Sequence, residues 1–252
     1  MQPPLHRPAV GAIVFSLAII AATWVASSAW ERVKTRPADR TIGVTGSAKK
    51  RIVSDQIEWS ARIETEHRDR TQAYRDLRGY VETALGYLKD QGIKASEIQP
   101  SSASVEPLFE TEYVGVGEAR VERQLFKGYR TGQTIFVRSG DVSRVERVSR
   151  EVTGLLERGV PITSSTPAYF YTRLGELKIA QLAEAARDAR NRAENIVKQG
   201  GGAVLGRLRS ADMGVINVNP ANVSSTSWDG NNDTSSLEKD IITIVHVTFE
   251  LN

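Results

Sequence analysis

Hydrophobic positions along the chain change their spacing several times, and each change marks an element. From Ala9 to Trp30 there is no periodicity: AVGAIVFSLAIIAATWVASSAW is 22 residues without a charge. About 20 apolar residues suffice to span a bilayer as a helix. Strand spacing follows in 41–50 and 52–66, where Ile57, Trp59, Ala61 and Ile63 alternate with Glu58, Ser60, Arg62 and Glu64. The period then becomes helical, with Tyr74, Leu77, Val81, Ala84 and Leu88 on one stripe and Gly92 as the stop.

Strand character returns in EIQPSSASVEPLF and YRTGQTIFVRS, with ETEYVGVGEARVERQ between them read as a hairpin loop. A second helix after Asp141 carries Val142, Val145, Val148, Val152 and Leu155 on one face, and a short strand, VPITSSTPAYFY, comes next. A third helix over 174–199 has a stripe of Leu182, Ala186, Ala189, Ala193 and Ile196, small enough to lie close to a sheet. Strand-like GAVLGRLRSADMGV and IITIVHVTFEL close the chain, separated by a polar segment at 219–238 that reads as a mobile loop.

Helices alternating with half-polar strands predict an α+β fold, with antiparallel or mixed sheets packed against about three helices and preceded by one N-terminal transmembrane helix. The division is a tail at 1–8, an anchor or signal sequence at 9–30, a linker at 31–40 and a domain at 41–252. Val10, Ile13, Phe15, Leu17, Ile19 and Ile20 supply the apolar span, and Trp24 and Trp30 suit an interfacial belt. Ser27-Ser28-Ala29 offers the small residues of a cleavage site, but the apolar run exceeds a usual signal core, which favours a retained anchor. Arg7 alone precedes the helix and Arg32, Lys34, Arg36 and Arg40 follow it, so charge bias by itself would keep the domain in the cytoplasm.

Composition narrows the chemistry. Hydrophobic residues at 40%, charged residues at 25% and a net charge of +3 describe an ordinary globular chain without a nucleic-acid footprint. With no cysteine, disulfides, thiolate metal sites and cysteine nucleophiles are excluded. Gly200, Gly201 and Gly202 follow a helix and precede a strand, the reverse of a phosphate loop, and read as a helix stop. His6, His67 and His246 lack metal-site spacing, and no G-x-S-x-G elbow is present. The carboxylates Glu110 and Glu112, and Glu118 and Glu122, read as solubilising residues of the hairpin loop. Arg187, Arg190 and Arg192, interleaved with Glu184, Asp188 and Glu194, read as a salt-laced solvent face. No catalytic, cofactor-binding or metal residue emerges. The interaction candidates are Tyr169, Phe170 and Tyr171, which being consecutive cannot all face inward on a strand, and Trp228 in the polar loop.

Four stretches in order carry a family resemblance: IGVTGSAKKRIVSDQIEWSARIETE, YLKDQGIKASEIQPSSASVEPLFE, FKGYRTGQTIFVRSGDVSRVERV and AEAARDARNRAENIVKQGGGAVLGRLRSA. Over residues 41–251 the chain resembles the SIMPL-domain family, the YggE-like exported bacterial proteins. It departs from the family at Ser54-Asp55, where Pro-Asp is usual, and at 219–238. The resemblance implies an exported or inner-membrane-anchored protein whose domain lies in the periplasm. It also implies ring-like homo-oligomers in at least some members, an association with oxidative-stress tolerance or surface antigenicity, and no established catalytic residues. The expected function is thus a non-enzymatic scaffold or binding module, with the lipid bilayer and further copies of the chain as partners. The other readings are an envelope hydrolase whose site forms only on folding, or a binding protein released after Ala29.

Overall fold

The computed structural model describes residues 7–34, 40–115 and 120–252. The fold is α+β, with antiparallel sheets, three helices in the domain and one apolar helix before it. That first helix, α1 (Arg7–Lys34), runs four residues past Trp30 into the predicted linker; residues 35–39 of that linker and 1–6 of the tail, with His6, lie outside the described residues. The described chain forms two compact units. One draws on residues 1–45, 189–212 and 246–252, the other on 46–188 and 213–245.

The larger unit is organised by a six-stranded sheet. Its strands are β2 (Gln56–His67), β3 (Ile98–Pro100), β4 (Ser104–Val114), β5 (Val121–Ser139), β6 (Ile162–Ser164) and β7 (Ala168–Phe170). The order is β3-β5-β2-β6, with β4 added to β5 and β7 to β2, and all these pairs are antiparallel. The alternation read in β2 holds: Ile57, Trp59, Ala61 and Ile63 are buried. Helices α2 (Arg70–Asp90) and α3 (Val142–Glu151) pack on that apolar side. Each fully buried Leu, Ile or Val side chain there contributes about 1.5–3 kcal/mol.

Asp69 caps α2 by accepting from Gln72 N at 2.8 Å, and Asp141 caps α3 by accepting from Arg144 N at 3.1 Å. The buried stripe of α2 is Ala73, Leu77, Val81, Ala84 and Leu88. Ala73 therefore stands where periodicity suggested Tyr74, whose large ring stays outside. Gly92, with φ +82, supplies the left-handed turn at the stop. The Val142–Leu155 face divides between α3 and a 3-10 helix, Val152–Arg158.

Two further expectations change. The segment read as a hairpin loop is mostly strand: β4 reaches Val114 and β5 starts at Val121. On the third helix, α4 (Leu174–Gly200), the buried positions are Leu177, Gln181, Ala185, Ala189 and Ala193. Of the expected stripe only Ala189 and Ala193 are buried, while Ala186 and Ile196 are exposed.

In the same unit, the 46–53 part of β1 (Thr41–Val53), β9 (Asn217–Pro220) and the 238–245 part of β10 (Glu238–Leu251) gather a second apolar cluster. Ile52, Leu177, Val218 and Ile241 form it, with Tyr171, Leu174 and Ile216 against it. The smaller unit holds α1, the end of α4, and the remaining parts of β1 and β10 with nearly all of β8 (Leu205–Met213), from a sheet in the order β1-β10-β8. α4 ends at Gly200, and Gly201 and Gly202 take φ of +71 and +79, so the glycines stop the helix as the sequence indicated.

Candidate functional site

The residues singled out for chemistry do not converge. His67 Nδ1 accepts from Asp69 N at 2.9 Å beside the α2 cap, and His246 Nδ1 shares a 2.9 Å hydrogen bond with Thr45 Oγ1. Among the described residues no group of three His, Asp or Glu side chains could hold a metal ion. Glu110 is ion-paired to Lys127, and Glu112 faces Arg123 across β4 and β5. Glu118 lies outside the described residues. On α4, Glu184 pairs with Arg187 at 2.6 Å and Glu194 with Arg190 at 2.8 Å, as a solvent face would. Asp188 does more: its carboxylate accepts from Ser47 N at 2.8 Å.

Charge is instead concentrated under the 219–238 loop, at two consecutive residues that sequence reading passed over. Lys239 and Asp240 open β10 and are both buried. The Lys239 ammonium donates to Tyr169 O at 2.7 Å and to Asp233 O. Burial lowers its pKa, and Asp233 partly opposes that. Asp240 accepts from Arg51 at 2.9 and 3.1 Å and from Asn222 N at 2.8 Å, and it pairs with Lys49 at 3.0 Å. These contacts, the Arg51 hydrogen bond foremost, hold its carboxyl well below the usual range.

Asparagines complete the clasp. Asn217 Oδ1 accepts from Ser227 N and Asn231 N, while Asn231 Nδ2 donates to Asn219 Oδ1 at 2.7 Å. The loop expected to be mobile is hydrogen-bonded along its length, and its polar composition is the material of that network. The lysine and the aspartate hold the loop through these bonds.

The interaction candidates separate. Tyr169 is buried on β7, and Phe170 and Tyr171 are half-buried. The backbone of Tyr169 is engaged by Lys239 and Thr234, and Phe170 O accepts from Asp55 N at 3.0 Å. Tyr171 packs against the second apolar cluster. Trp228 stands apart at 92% exposed. On α1 the side chains of Ile13, Phe15, Leu17, Ile19, Ile20, Trp24 and Trp30 are all exposed, and that of Val10 lies outside the described residues. The span Gly11–Glu31 is long and apolar enough to cross a membrane, a property that signal sequences share. Its hydroxyls bond within the helix, Ser16 to Ala12 O at 2.8 Å and Thr23 to Ile19 O at 2.7 Å, so no side-chain donor of these two is left bare for lipid.

A further exposed feature is one that sequence reading took for a loop. Among the described residues, β5 has only β4 for a strand neighbour beyond the His67–Tyr129 pair, and β4 has only β5. The residues Phe109–Gly115 and Arg120–Lys127 are exposed on both faces of this two-stranded arm. Phe109, Phe126 and Tyr129 form a chain of edge-on contacts with centroids 5.7 and 5.3 Å apart, and Arg120 lies over the Tyr113 ring at 4.5 Å. At the root, Gly128 adopts φ +144 where a Cβ would fall 2.6 Å from the His67 carbonyl oxygen, and the register shifts between Leu108 and Phe109.

Comparison with known proteins places this architecture. The model of the SIMPL family, described as a protein of unknown function (DUF541), matches residues 42–246. No curated protein matches the chain.

Proposed function

The chain belongs to the SIMPL family, and from that premise we propose a single-pass membrane protein of the cell envelope whose domain assembles with further copies of itself into a non-enzymatic scaffold or binding module. Helix α1 is the anchor in this reading, and the export that the resemblance implies supports a periplasmic domain despite the basic residues after the helix. The observation that supports assembly best is the β4–β5 arm. A two-stranded ribbon open to water on both faces is at best marginally stable alone, and its aromatic face and unpaired edges invite a partner.

The partner in this reading is a second copy, because the two strands of the arm differ in charge. β4 carries Glu106, Glu110 and Glu112 and no basic residue, whereas 120–127 carries Arg120, Arg123 and Lys127 against Glu122 alone. The β4 edge of one copy against the β5 edge of the next is a head-to-tail contact, which closes into a ring when its rotation permits. Anchors on the subunits of one ring would add avidity for the bilayer.

The chain has no cysteine, so Thr111→Cys on the arm gives a single thiol. In membranes holding the full-length protein, a short bis-maleimide is expected to link subunits through this residue. Monomer alone after reaction, with the thiol shown to be modified, counts against arm-mediated assembly.

A further inference from the structure

The face of the six-stranded sheet opposite α2 and α3 carries a trough unconnected with the arm or the loop clasp. Its floor is β2 and β5. One wall is the 3-10 turn Ala95–Glu97 with β3, and the other is the turn between β6 and β7 at Ser165 and Thr166. The open trough has a volume of about 490 Å³, within the range of small-ligand sites. Along β2 and β5 this face presents Glu58, Ser60, Arg62, Glu64, Thr134 and Arg138, as a solvated sheet face should. Phe136 breaks the pattern: it lies in the floor, points outward and is 50% exposed.

The groups around that ring are arranged in rows. Strand register puts Gln99 on one side of Phe136 and Ser60 on the other. Glu58 and Arg138 form the next row and pair through Arg138 Nε at 2.7 Å. Ser60 and Ser165 bridge the floor to the far wall by a 3.0 Å hydroxyl–hydroxyl bond. From Gln99 to Ser60 the row is roughly 10 Å wide, given the spacing of strands in a sheet.

This lining selects a ligand class by exclusion and by fit. Its charges are engaged: Glu58 is paired, and both oxygens of Glu97 are occupied, by Ser139 Oγ at 2.7 Å and Lys94 N at 2.9 Å. A polyanion or polycation therefore gains little. Both floor strands are hydrogen-bonded on each side here, β5 by β3 and β2, and β2 by β5 and by β6 and β7. Neither floor strand therefore offers an open edge to an added peptide strand. What remains is an exposed aromatic face bordered by an amide, a fixed carboxylate–guanidinium pair and hydroxyls. That combination suits a neutral molecule with one C–H face for the ring and vicinal hydroxyls for the planar polar groups. A sugar ring has both.

We infer that the trough over Phe136 binds a neutral oligosaccharide, with the ring of one sugar stacked on Phe136 and its hydroxyls held by Gln99, Ser60 and the Glu58–Arg138 pair. The inference is independent of self-assembly.

Calorimetric titration tests it on the full-length protein in a detergent without a sugar headgroup, using chitotetraose, cellotetraose and maltotetraose as probes. Saturable binding of at least one is expected. Phe136→Ala should weaken it about tenfold, and Phe136→Tyr should keep it near the wild-type value. Phe109→Ser with Phe126→Ser, on the arm, should leave it unchanged, so the result stands whether or not the protein assembles. Circular dichroism confirms folding of each variant. The inference is overturned if none of the three sugars binds. It is equally overturned if Phe136→Ala binds as well as wild type while folded.

Discussion

Phe109 and Phe126 face one another across the β4–β5 arm with ring centroids 5.7 Å apart, edge to face, and yet stay 52% and 46% exposed. A pair that makes its own contact and still shows half its surface is poised for a further partner. Replacing both with serine should leave thermal unfolding of the domain nearly unchanged, since the arm adds little to the buried core and the pair itself contributes only about 0.5–1.5 kcal/mol. The same change should remove the multimer that the proposed assembly requires. Scanning calorimetry and native mass, measured together, check both halves of this expectation.

The root of the arm supplies a different prediction. A Cβ placed on Gly128 would fall 2.6 Å from the His67 carbonyl oxygen and 2.9 Å from Arg68 Cα, and φ there is +144. Both obstacles are backbone, so a substitution must move the chain. Gly128→Ala should cost about 1–3 kcal/mol and re-aim the arm. Denaturant unfolding is expected to show the loss, and cross-linking through Thr111→Cys to fall with it.

Asp240 sets an acid limit. Its pKa in the folded state lies below the ordinary aspartate value, so the folded protein binds fewer protons than the unfolded chain as pH falls. The stabilisation is fully present above the unfolded-state value of about 3.9 and is lost as pH drops from there towards the folded-state value. Asp240→Asn should cost about 1–3 kcal/mol at neutral pH, the scale of removing a partner from charged hydrogen bonds. It should also flatten the fall in stability below about pH 4. Urea unfolding of both proteins across that range measures the two slopes.

Helix α4 separates the buried stripe from the expected one. Ala185 is fully buried, so Ala185→Leu should destabilise by about 1–3 kcal/mol through overpacking. Ile179 is 72% exposed, and Ile179→Ser should change stability by less than about 0.5 kcal/mol. A reversal of the two in denaturant unfolding would restore the stripe through Leu182 and Ala186.

These particulars show what could be read from the sequence. Strand β2 was legible because one face is buried and the other solvated, and α2 because Leu77, Val81, Ala84 and Leu88 are all buried. Alanine made α4 ambiguous: Ala185 and Ala186 have the same polarity, so periodicity could not say which one faces inward. The arm was misread because its strands are exposed on both sides and show no alternation, while Gly115 and its neighbours resemble a turn. Lys239 and Asp240 escaped notice for the opposite reason. Charged residues at the end of a polar loop look solvated, and only the fold brings Tyr169 O, Arg51 and Lys49 to them. Phe136 was absorbed into an apolar strand pattern, and its outward direction follows from register with Ser60 alone.

The central claim is self-assembly through the arm, and the native mass tests it most directly. Light scattering would be run on the detergent-extracted full-length protein, on a fragment spanning 31–252, and on both with Phe109→Ser and Phe126→Ser. The account predicts one discrete multimer for the first two and monomers once the aromatic pair is gone. A clean monomer for the unaltered protein, or a multimer that survives loss of both rings, would contradict it.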